Sequence, residues 1–394
     1  AGFFGAIEAA YNEKGLRVLI LEKTSKLLSK VKVSGGGRCN VTHQCFEATP
    51  LSKHYPRGQR ALKSLFQKFQ AKDTVAWFEN QGVELKAEED GRMFPVTNNS
   101  QTIIDCFLRE AERLNIDIKL SQEVTRIEKT EKVFHVHCHE QQYTATHILV
   151  AAGGYNKPEN YQWLSDLGHE IVQPIPSLFT FNDSSKEFTD LMGVAVSDAE
   201  VKIAGSKLSQ RGPVLITHWG LSGPAVIKLS AWAAVDLHKV NYTFTALVNW
   251  TGKPETEVRS TLMKLKEDNS KKQVLSNPLF NLPKRLWEFL CLKAGAEEGR
   301  TWSEQSHKVI NRLIELLFAC PFHIKGKTTF KEEFVTCGGV SLNDIDLNSM
   351  ESKKVPGLYF AGEILDIDGE TGGFNFQAAW TTAWVAAHQM STSH

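Results

Sequence analysis

The chain has 394 residues with 45 basic and 45 acidic side chains, so its formal net charge is zero at pH 7. This length is enough to bury more than one core, which predicts two or three domains. Balanced charge without a basic block gives no electrostatic support to non-specific nucleic-acid binding, and no apolar run reaches the roughly 18 residues of a membrane span.

The seven cysteines are scattered, and no two of them form a C-x-x-C pair. Their odd number and wide spacing argue against a disulfide framework and against a zinc site, and they favour a reducing compartment. No secretory signal is visible. We therefore expect a cytoplasmic protein without a metal centre, whose partners include neither nucleic acid nor a membrane.

The N-terminal segment has the pattern of a dinucleotide-binding fold. Residues 2–10 predict a helix with small residues where it touches a sheet, and residues 16–21 predict a strand. Glu22 ends this strand about 20 residues after Gly2, which is the spacing of the acid that binds a ribose in such folds. We expect Gly2 to be the last glycine of the phosphate-binding turn, with roughly ten residues before it, the length of a strand and half a turn.

Residues 34–40 contain three consecutive glycines. Such a run stabilises neither a helix nor a strand, because each glycine loses more backbone entropy than any other residue. It is expected where the main chain passes close to a flat or charged ligand. Since the run follows an acidic strand end, it predicts a bound dinucleotide.

The next part of the chain alternates predicted helices with short strands. The helices are 59–69, 74–80 and 100–114, and the strands are 116–120, 124–128 and 133–138. His135, His137 and His139 share one face of the last strand, where a solvated face is favoured over a set of metal ligands. Residues 147–152 predict a buried parallel strand that runs into Gly153 and Gly154, leaving room for a ligand, although an ordinary strand and turn would give the same pattern.

From about residue 177 the pattern changes to strands, and three amphipathic helices follow at 253–267, 283–294 and 303–319. Within the strands, Ser222 is predicted to cap a short helix that has Pro224 in its first turn. Residues 269–272 predict an exposed loop, and strands resume at 322–330 and 333–336. We interpret this part as a β-rich module that carries a small helical bundle.

The C-terminal part returns to the first pattern. Residues 357–361 predict a buried strand that ends in Gly362 and Glu363, and residues 369–375 form a second glycine-rich loop. An alanine-rich helix follows at 376–390. The free N–H groups and partial positive charge at its start can hold an electron-rich ring edge or an oxyanion.

These motifs resemble those of a known family. The segments KVKVSGGGRCN at 30–40, HWGLSGP at 218–224 and GLYFAGEILDIDGETGGFNFQAAW at 357–380 are similar to the bacterial YhiN-like flavoproteins, also called BaiN/RdsA-type or aminoacetone-oxidase-type NAD(P)/FAD-dependent oxidoreductases. The resemblance covers residues 1 to about 387. It implies an α/β fold in which a Rossmann-like FAD-binding domain (1–176 and 336–394) has an inserted β-barrel-like domain (177–250 and 319–335), which itself carries a small helical domain (251–318).

The resemblance also implies a path for FAD. Gly2 would lie at the pyrophosphate, Glu22 at the adenosine ribose, and Val124 at the adenine. An acid at the ribose disfavours a 2′-phosphate. The residues at 362–363 would lie at the ribitol or phosphate, and those at 372–375 at the N1–O2 edge of the flavin. The implied cofactor-binding residues are Gly2, Glu22, Lys23, Lys30, Ser34, Gly35, Gly36, Gly37, Arg38, Cys39, Asn40, Val124, Ala152, Gly153, Gly154, Gly362, Glu363, Asp366, Gly372, Gly373, Phe374 and Asn375.

The catalytic residues stay open at this point. His218 is a weak candidate for a general base, with a structural role at least as compatible. Cys39 has no partner at disulfide-reductase spacing, so packing beside the flavin is favoured over a redox thiol. Asp366 and Asn375 either contact substrate or order their loop. No second dinucleotide fingerprint is visible, so a dedicated NAD(P)H-binding domain is not expected. NAD(P)H would then act only as a transient electron donor.

The resulting hypothesis is an FAD-dependent oxidoreductase acting on a small amine, ketone or unsaturated compound between the FAD and inserted domains. One alternative is a flavoenzyme that modifies tRNA, which requires a basic surface that the neutral charge does not favour. The other is a flavin-binding protein without turnover.

Overall fold

A computed structural model describes residues 1–268, 271–329 and 335–392. It divides into two compact units, one built from Ala1–Ser177 with the described residues after 334, the other from Leu178–Thr329. Positions 269 and 270 of the predicted loop, position 330 of the predicted strand 322–330, and positions 333 and 334 of the predicted strand 333–336 lie outside the described residues. The finer division of the chain into three domains stays a prediction.

The described residues contain twelve α-helices and twenty strands. In chain order the helices are α1 (Gly2–Asn12), α2 (Ser29–Gly37), α3 (Ala48–Ser52), α4 (Gln59–Leu65), α5 (Ala71–Asn80), α6 (Gln101–Arg113), α7 (Gln162–Ser165), α8 (Pro224–Lys239), α9 (Glu255–Asp268), α10 (Lys284–Ala294), α11 (His307–Phe318) and α12 (Phe374–Thr392). The strands are β1 (Leu19–Leu21), β2 (Thr42–His43), β3 (Leu85–Ala87), β4 (Arg92–Pro95), β5 (Asp117–Lys119), β6 (Val124–Lys129), β7 (Phe134–Cys138), β8 (Gln142–Ala145), β9 (Ile148–Val150), β10 (Ile171–Pro176), β11 (Thr180–Asp183), β12 (Ala195–Ile203), β13 (Ser209–Thr217), β14 (Gly220–Ser222), β15 (Thr243–Asn249), β16 (Cys320–Thr328), β17 (Thr336–Val340), β18 (Ile345–Asp346), β19 (Glu351–Ser352) and β20 (Leu358–Phe360). None of the described helices is long and apolar enough to cross a membrane.

The first unit contains two parallel strand pairs that the sequence pattern anticipates. β1 pairs with β5, and β9 pairs with β20 so that Ile148 lies opposite Leu358. The expectation of a parallel strand near residue 150 is thus confirmed, although Ile148 and Leu149 are only half-buried, and a buried strand near 358 is confirmed as well. Because both strands of a parallel pair end at the same edge, Gly153 and Gly362 follow their strands on the same side of the sheet.

Helix α1 lies against this sheet and against α12. A Cβ atom on Gly5 would come within 2.4 Å of Leu149 Cδ2, so any larger residue would require the Leu149 side chain to move. On its other side Phe4 packs against Trp77 and Trp380, with ring centroids 4.8 and 5.5 Å apart. The predicted first helix is therefore confirmed, and this aromatic cluster fixes the N-terminal and C-terminal helices against each other.

The second unit is built around a closed six-stranded barrel with the strand order β11-β14-β13-β12-β15-β16. Helix α8 follows β14, but the predicted cap was wrong. Gly223, with φ of +100°, precedes the helix, Pro224 occupies the first turn, and Ser222 makes no capping hydrogen bond. The helix is also longer than predicted, with 16 residues, because buried apolar side chains continue as far as Leu237.

Several predicted boundaries need correction. Helix α11 begins at His307 rather than at 303, because Ser306 caps it by accepting a hydrogen bond from Val309 N. The residues before it form a separate turn in which Thr301 N and Oγ1 donate to the Glu304 carboxylate. Helix α4 ends at Leu65 rather than near 69, and β5 is limited to Asp117–Lys119.

Candidate cofactor site

The carboxyl ends of β9 and β20 form one end of the candidate site. Ala361 N donates to Val150 O at 3.0 Å, so the two chains leave the sheet together. Just beyond, a Cβ on Gly154 would lie 2.5 Å from Thr336 Oγ1 and 2.9 Å from Glu363 Oε1. The absence of a side chain at Gly154 thus allows these three segments to meet where open α/β sheets bind their ligands.

The start of α1 lies at the same edge. A Cβ on Gly2 would be 3.6 Å from Ala151 Cβ, and a Cβ on Gly362 would be 3.6 Å from Ala379 Cβ of α12. Gly2, predicted for the pyrophosphate, and Gly362, predicted for the ribitol or phosphate, therefore both lie beside the ends of the parallel strands. This is the arrangement that the dinucleotide pattern predicts.

The three-glycine segment lies within the bounds of α2 but does not have helical backbone angles. The regular part of α2 ends before Ser34, whose ψ is 146°, and Gly35, Gly36 and Gly37 have φ values of 58°, 68° and 83°. These left-handed conformations favour glycine. A Cβ on Gly35 would lie 3.0 Å from Asn40 N and from the Phe94 ring, whereas one on Gly36 or Gly37 would meet nothing within 4 Å. The sequence pattern did not predict the helical turns at 29–33 that precede this segment.

The early and late glycine-rich segments meet directly. With its amide oriented to satisfy both ends, Asn40 accepts a hydrogen bond from Gly373 N at 2.9 Å and donates one to Thr42 O at 3.0 Å. A second bond links the two segments farther along, where Lys30 Nζ donates to Glu363 Oε2 at 2.5 Å. Segments that are more than 330 residues apart in the sequence thus line one site.

The loop before α12 is closed by its own side chain. Asn375 accepts from Gly369 N at 2.9 Å and donates to Gly369 O at 3.0 Å. Tyr55 donates its hydroxyl hydrogen to Phe374 O at 2.7 Å. Of the two roles left open for Asn375, the hydrogen bonds support the ordering of the loop.

Some predicted cofactor ligands are already engaged by protein groups. Glu363 accepts from Thr336 N through Oε1, in addition to its pairing with Lys30. The Arg38 guanidinium donates to Glu88 at 2.6 Å and lies 4.0 Å from the centre of the Phe94 ring, so it stabilises the local sheet. At this position the main chain, rather than the arginine side chain, is the part available to a ligand.

Cys39 is fully buried and has a φ of +61°, which is unusual for a residue other than glycine. Burial raises the pKa of its thiol to about 12, so almost no thiolate is present near neutral pH. Since the thiolate is the reactive form, these properties support packing rather than redox chemistry for Cys39.

The residues predicted for the adenosine end also lie together. Glu22 follows β1, and its Oε1 accepts from Thr24 N and Oγ1 at 2.9 and 2.8 Å. Its main-chain oxygen accepts from Gln122 N, two residues before Val124. Lys23 extends over the Tyr155 ring, with Nζ 5.1 Å from the ring centre, close in sequence to Gly154.

Two buried polar atoms at the site lack a hydrogen-bond partner among the described residues. They are Thr336 Oγ1 and Asp366 Oδ1. An unpaired buried polar atom costs free energy, so such atoms usually mark a missing ligand or water. A hydroxyl-rich cofactor chain would satisfy both atoms, and Gly36, Gly37 and Gly153 leave open space where a cofactor's main body would lie. The residues present therefore fit FAD.

Burial raises the pKa of Asp366 above its ordinary value of 3.8, and the nearby Arg57 and the Gly338 backbone only partly oppose this. A carboxyl group with a raised pKa binds its proton more tightly in the folded state, so its contribution to stability is greatest below pH 3.8 and declines as the pH rises through the folded value. We therefore expect Asp366→Asn, which mimics the protonated acid, to stabilise the FAD-free protein relative to wild type by an amount that grows as the pH rises above about 4 and becomes constant above the folded pKa of Asp366. Thermal unfolding at several pH values measures this difference, and a difference that does not change with pH would contradict the assignment.

His218 lies in the second unit, in the turn between β13 and β14. It is exposed, and its ring meets that of Trp219 edge-on at a centroid distance of 4.2 Å. A role for His218 as a base stays a prediction.

The three histidines in and just after β7 have nearby partners of other kinds. His137 lies 3.0 Å from Glu128, His139 lies 3.5 Å from Glu123, and His135 is 3.0 Å from Gln142. Within residues 1–268, 271–329 and 335–392, no group of three or more His, Cys, Asp or Glu residues is arranged to hold a metal ion.

Two clusters beside the second glycine-rich loop were not predicted. In one, Arg57 donates to the fully buried Asp368 at 2.5 Å and to Ser177 at 3.1 Å. In the other, the rings of His43 and His54 both stack on that of Phe374, at centroid distances of 4.7 and 4.2 Å. The only signal in the sequence was the clustering of acids among the glycines at 366–370.

The chain belongs to a family whose model, described as HI0933-like protein Rossmann domain, matches residues 1–389. It is 29% identical over 406 residues to a ribosomal RNA dihydrouridine synthase of Haemophilus influenzae, covering 99% of this chain and 96% of that protein. It is 24% identical over 402 residues to a 3-dehydro-bile acid delta(4,6)-reductase of Clostridium scindens, covering 98% and 95%. The solved structure of a 3-ketosteroid delta1-dehydrogenase of Sterolibacterium denitrificans aligns with 100% of this chain over 97% of its own length, with 11% identity and a TM-score of 0.51. This similarity shows a shared fold.

Fold and family together define the class as an FAD-dependent oxidoreductase with a Rossmann-type domain and a six-stranded barrel. The family is the YhiN-like flavoprotein family predicted from the motifs, and the predicted fold class is confirmed.

Proposed function

We propose that this protein reduces a carbon–carbon double bond conjugated to a carbonyl group, using FAD. The named activities of its relatives support this reaction type. Dihydrouridine differs from uridine by saturation of the C5–C6 bond, which is conjugated to the C4 carbonyl, and a delta(4,6)-reductase of a 3-dehydro steroid saturates bonds conjugated to the C3 carbonyl. In both reactions a hydride adds to an electron-poor carbon and a proton adds to its neighbour.

The observation that carries the proposal is the Asn40–Gly373 contact, which joins the two glycine-rich segments, while no protein atom lies within 4 Å of a Cβ placed on Gly36 or Gly37. Gly36 and Gly37 would carry the main chain along the cofactor, and Glu22 would hold the ribose. Bound FAD supplies hydride transfer. The N-terminal end of α12, which begins directly after Gly373, favours negative charge and would stabilise the reduced, anionic form of a bound flavin.

We further propose NADH or NADPH as a transient donor that shares the open face of the site. In the test, the holoenzyme is mixed anaerobically with NADH, NADPH or a primary amine while the visible flavin absorbance is followed. The reduced enzyme is then mixed with 2-cyclohexen-1-one, or with cyclohexanone as the matched saturated control. We expect NADH or NADPH to bleach the flavin. The enone, but not cyclohexanone, should then reoxidise it and be converted to the saturated ketone. Bleaching by the amine without reoxidation by any enone would contradict the proposal.

A second candidate substrate is uridine within ribosomal RNA, which is favoured by the names of the relatives at 29% and 28% identity. The reaction type is the same, so the test differs only in the acceptor. The holoenzyme with NADPH is incubated with ribosomal RNA from a strain that lacks dihydrouridine in it, and the nucleosides are analysed by mass spectrometry. Formation of dihydrouridine supports this substrate, and its absence, with enone reduction intact, favours a small molecule.

Replacing Glu22 with alanine tests the adenosine end of the proposed path. We expect the affinity for FAD to fall by about 1–3 kcal/mol, the contribution of a hydrogen bond to a charged group. Fluorescence titration of the apoprotein with FAD measures this change. An unchanged affinity would show that Glu22 serves only its local bonds to Thr24.

A further inference from the structure

His54 is part of an aromatic stack beside the second glycine-rich loop. Its ring lies 4.2 Å from that of Phe374 at an angle of 9°, and the ring of His43 lies 4.7 Å from that of Phe374 at 21°. Phe374 is 1% exposed, whereas the His54 side chain retains 34% of its exposure. His54 thus has one face fixed on the loop and an edge open to solvent.

The main chain around His54 is fixed to that loop. His54 O accepts from Glu370 N at 2.9 Å, and Arg57 forms an antiparallel bridge with Asp368. The buried Arg57–Asp368 ion pair and the Tyr55 hydrogen bond to Phe374 O hold the same two segments together. Movement of residues 54–57 relative to 368–374 would break all of these contacts, so the His54 ring has a defined position.

The two nitrogens of His54 have different surroundings. Nδ1 lies 3.3 Å from Glu370 Oε2, and Glu370 is itself buried. Because a carboxylate accepts, this contact keeps a proton on Nδ1, and Nε2 has no partner among the described residues. Besides Glu370, the ionisable groups nearby are His43, with its ring centre 5.9 Å away, and the Arg57–Asp368 pair.

This combination is typical of a histidine that transfers a proton through Nε2 while a carboxylate orients it through Nδ1. His43 differs, because its Nε2 lies 3.1 Å from Asp90 O. Of the two stacked histidines, only His54 has the ring edge available to a second molecule.

We propose that His54 is the proton donor of the reaction and that Glu370 is its positioning residue, an inference that rests on the proposed function. The substrate's β-carbon gains a hydride, with two electrons, from the reduced cofactor. The π electrons of the double bond shift to the α-carbon, and the proton on Nε2 of the His54 imidazolium moves there as the N–H bond breaks. The substrate is reduced, the cofactor is oxidised, and His54 regains its proton from water at its exposed edge.

The test compares two acceptors with the same prereduced holoenzyme. Reduction of 2-cyclohexen-1-one needs a proton delivered to carbon, whereas reoxidation by 1,4-benzoquinone does not. For His54→Phe, which preserves an aromatic ring on Phe374, we expect reoxidation by the enone to slow by about 10²-fold or more. Reoxidation by the quinone should stay near the wild-type rate. The matched variant His43→Phe, at the other histidine that stacks on Phe374, should keep both rates close to wild type.

Glu370→Gln should slow the enone reaction less than His54→Phe does and should change its dependence on pH, because the amide no longer stabilises the imidazolium. If wild-type and His54→Phe enzymes reduce the enone equally fast, the inference is wrong while the proposed function stands. If the wild-type enzyme reacts with the quinone but with no conjugated carbonyl compound, the proposed function fails.

A measurement without turnover tests the position of His54 independently. Diethyl pyrocarbonate modifies accessible neutral imidazoles, and mass spectrometry locates the product. We expect His54 to be modified in the FAD-free protein and protected when FAD is bound, while the exposed His218 reacts equally in both. Equal modification of His54 with and without bound FAD would overturn the inference.

Discussion

Replacing Gly36 with valine should yield a folded protein that no longer retains FAD. Gly36 has a φ of +68°, and no protein atom lies within 4 Å of the Cβ that a side chain there would add. A valine would therefore be strained, and it would also occupy the place where we expect the cofactor. The visible absorbance of the purified protein, and its FAD content after denaturation, measure the result.

The matched control is Gly82→Val, which separates backbone strain from loss of the site. Gly82 has a φ of +76°, and a Cβ there would also meet nothing within 4 Å, but it lies in the turn after α5. Both variants should lose about 1–3 kcal/mol of stability from the left-handed conformation. Only the Gly36 variant should lose FAD, and a yellow, fully loaded Gly36→Val protein would show that the segment 34–40 lies elsewhere.

Replacing Arg57 with alanine should destabilise the first unit strongly. Asp368 is fully buried, and burial raises its pKa although Arg57 and Ser177 oppose the shift. Removing the guanidinium leaves a buried carboxylate without its counter-ion, which typically costs about 3–5 kcal/mol. We expect the midpoint of thermal unfolding to fall by roughly 10 °C, at about 2–4 °C per kcal/mol for a unit of this size.

Two further variants make this result specific. Arg211→Ala removes an arginine that pairs with Asp198 through two 2.6 Å hydrogen bonds on the surface of the barrel, and it should change the midpoint little, because both side chains are more than half exposed. The double variant Arg57→Ala with Asp368→Ala should be more stable than Arg57→Ala alone. Equal effects of Arg57→Ala and Arg211→Ala would contradict the assigned burial.

The parts of the fold that depend on local pattern were predictable from the sequence. Helix α1 and strands β9 and β20 could be recognised because small residues, apolar runs and glycine endings follow each other in a fixed order. The cap of α8 was misassigned because serine and glycine both precede helices. Only the φ of Gly223 decides between them.

The contacts that complete the site could not be predicted in this way. His54 and Glu370 are separated by 316 positions, and Arg57 and Asp368 by 311. No period or spacing in the sequence connects such distant residues, since their pairing results from the packing of the C-terminal segment against the N-terminal part of the first unit. The sequence therefore led to the glycine-rich main chain as a proposed cofactor site, and the structure added the charged and aromatic side chains around it.

Hydrogen–deuterium exchange with and without FAD tests the central claim most directly. The claim is that the main chain at 34–40 and at 369–375 lies against one bound flavin cofactor. We predict that FAD slows amide exchange in peptides from both segments together, at the same FAD concentration, with little change in the barrel strands. Tight FAD binding that protects neither segment, or only one of them, would contradict the account.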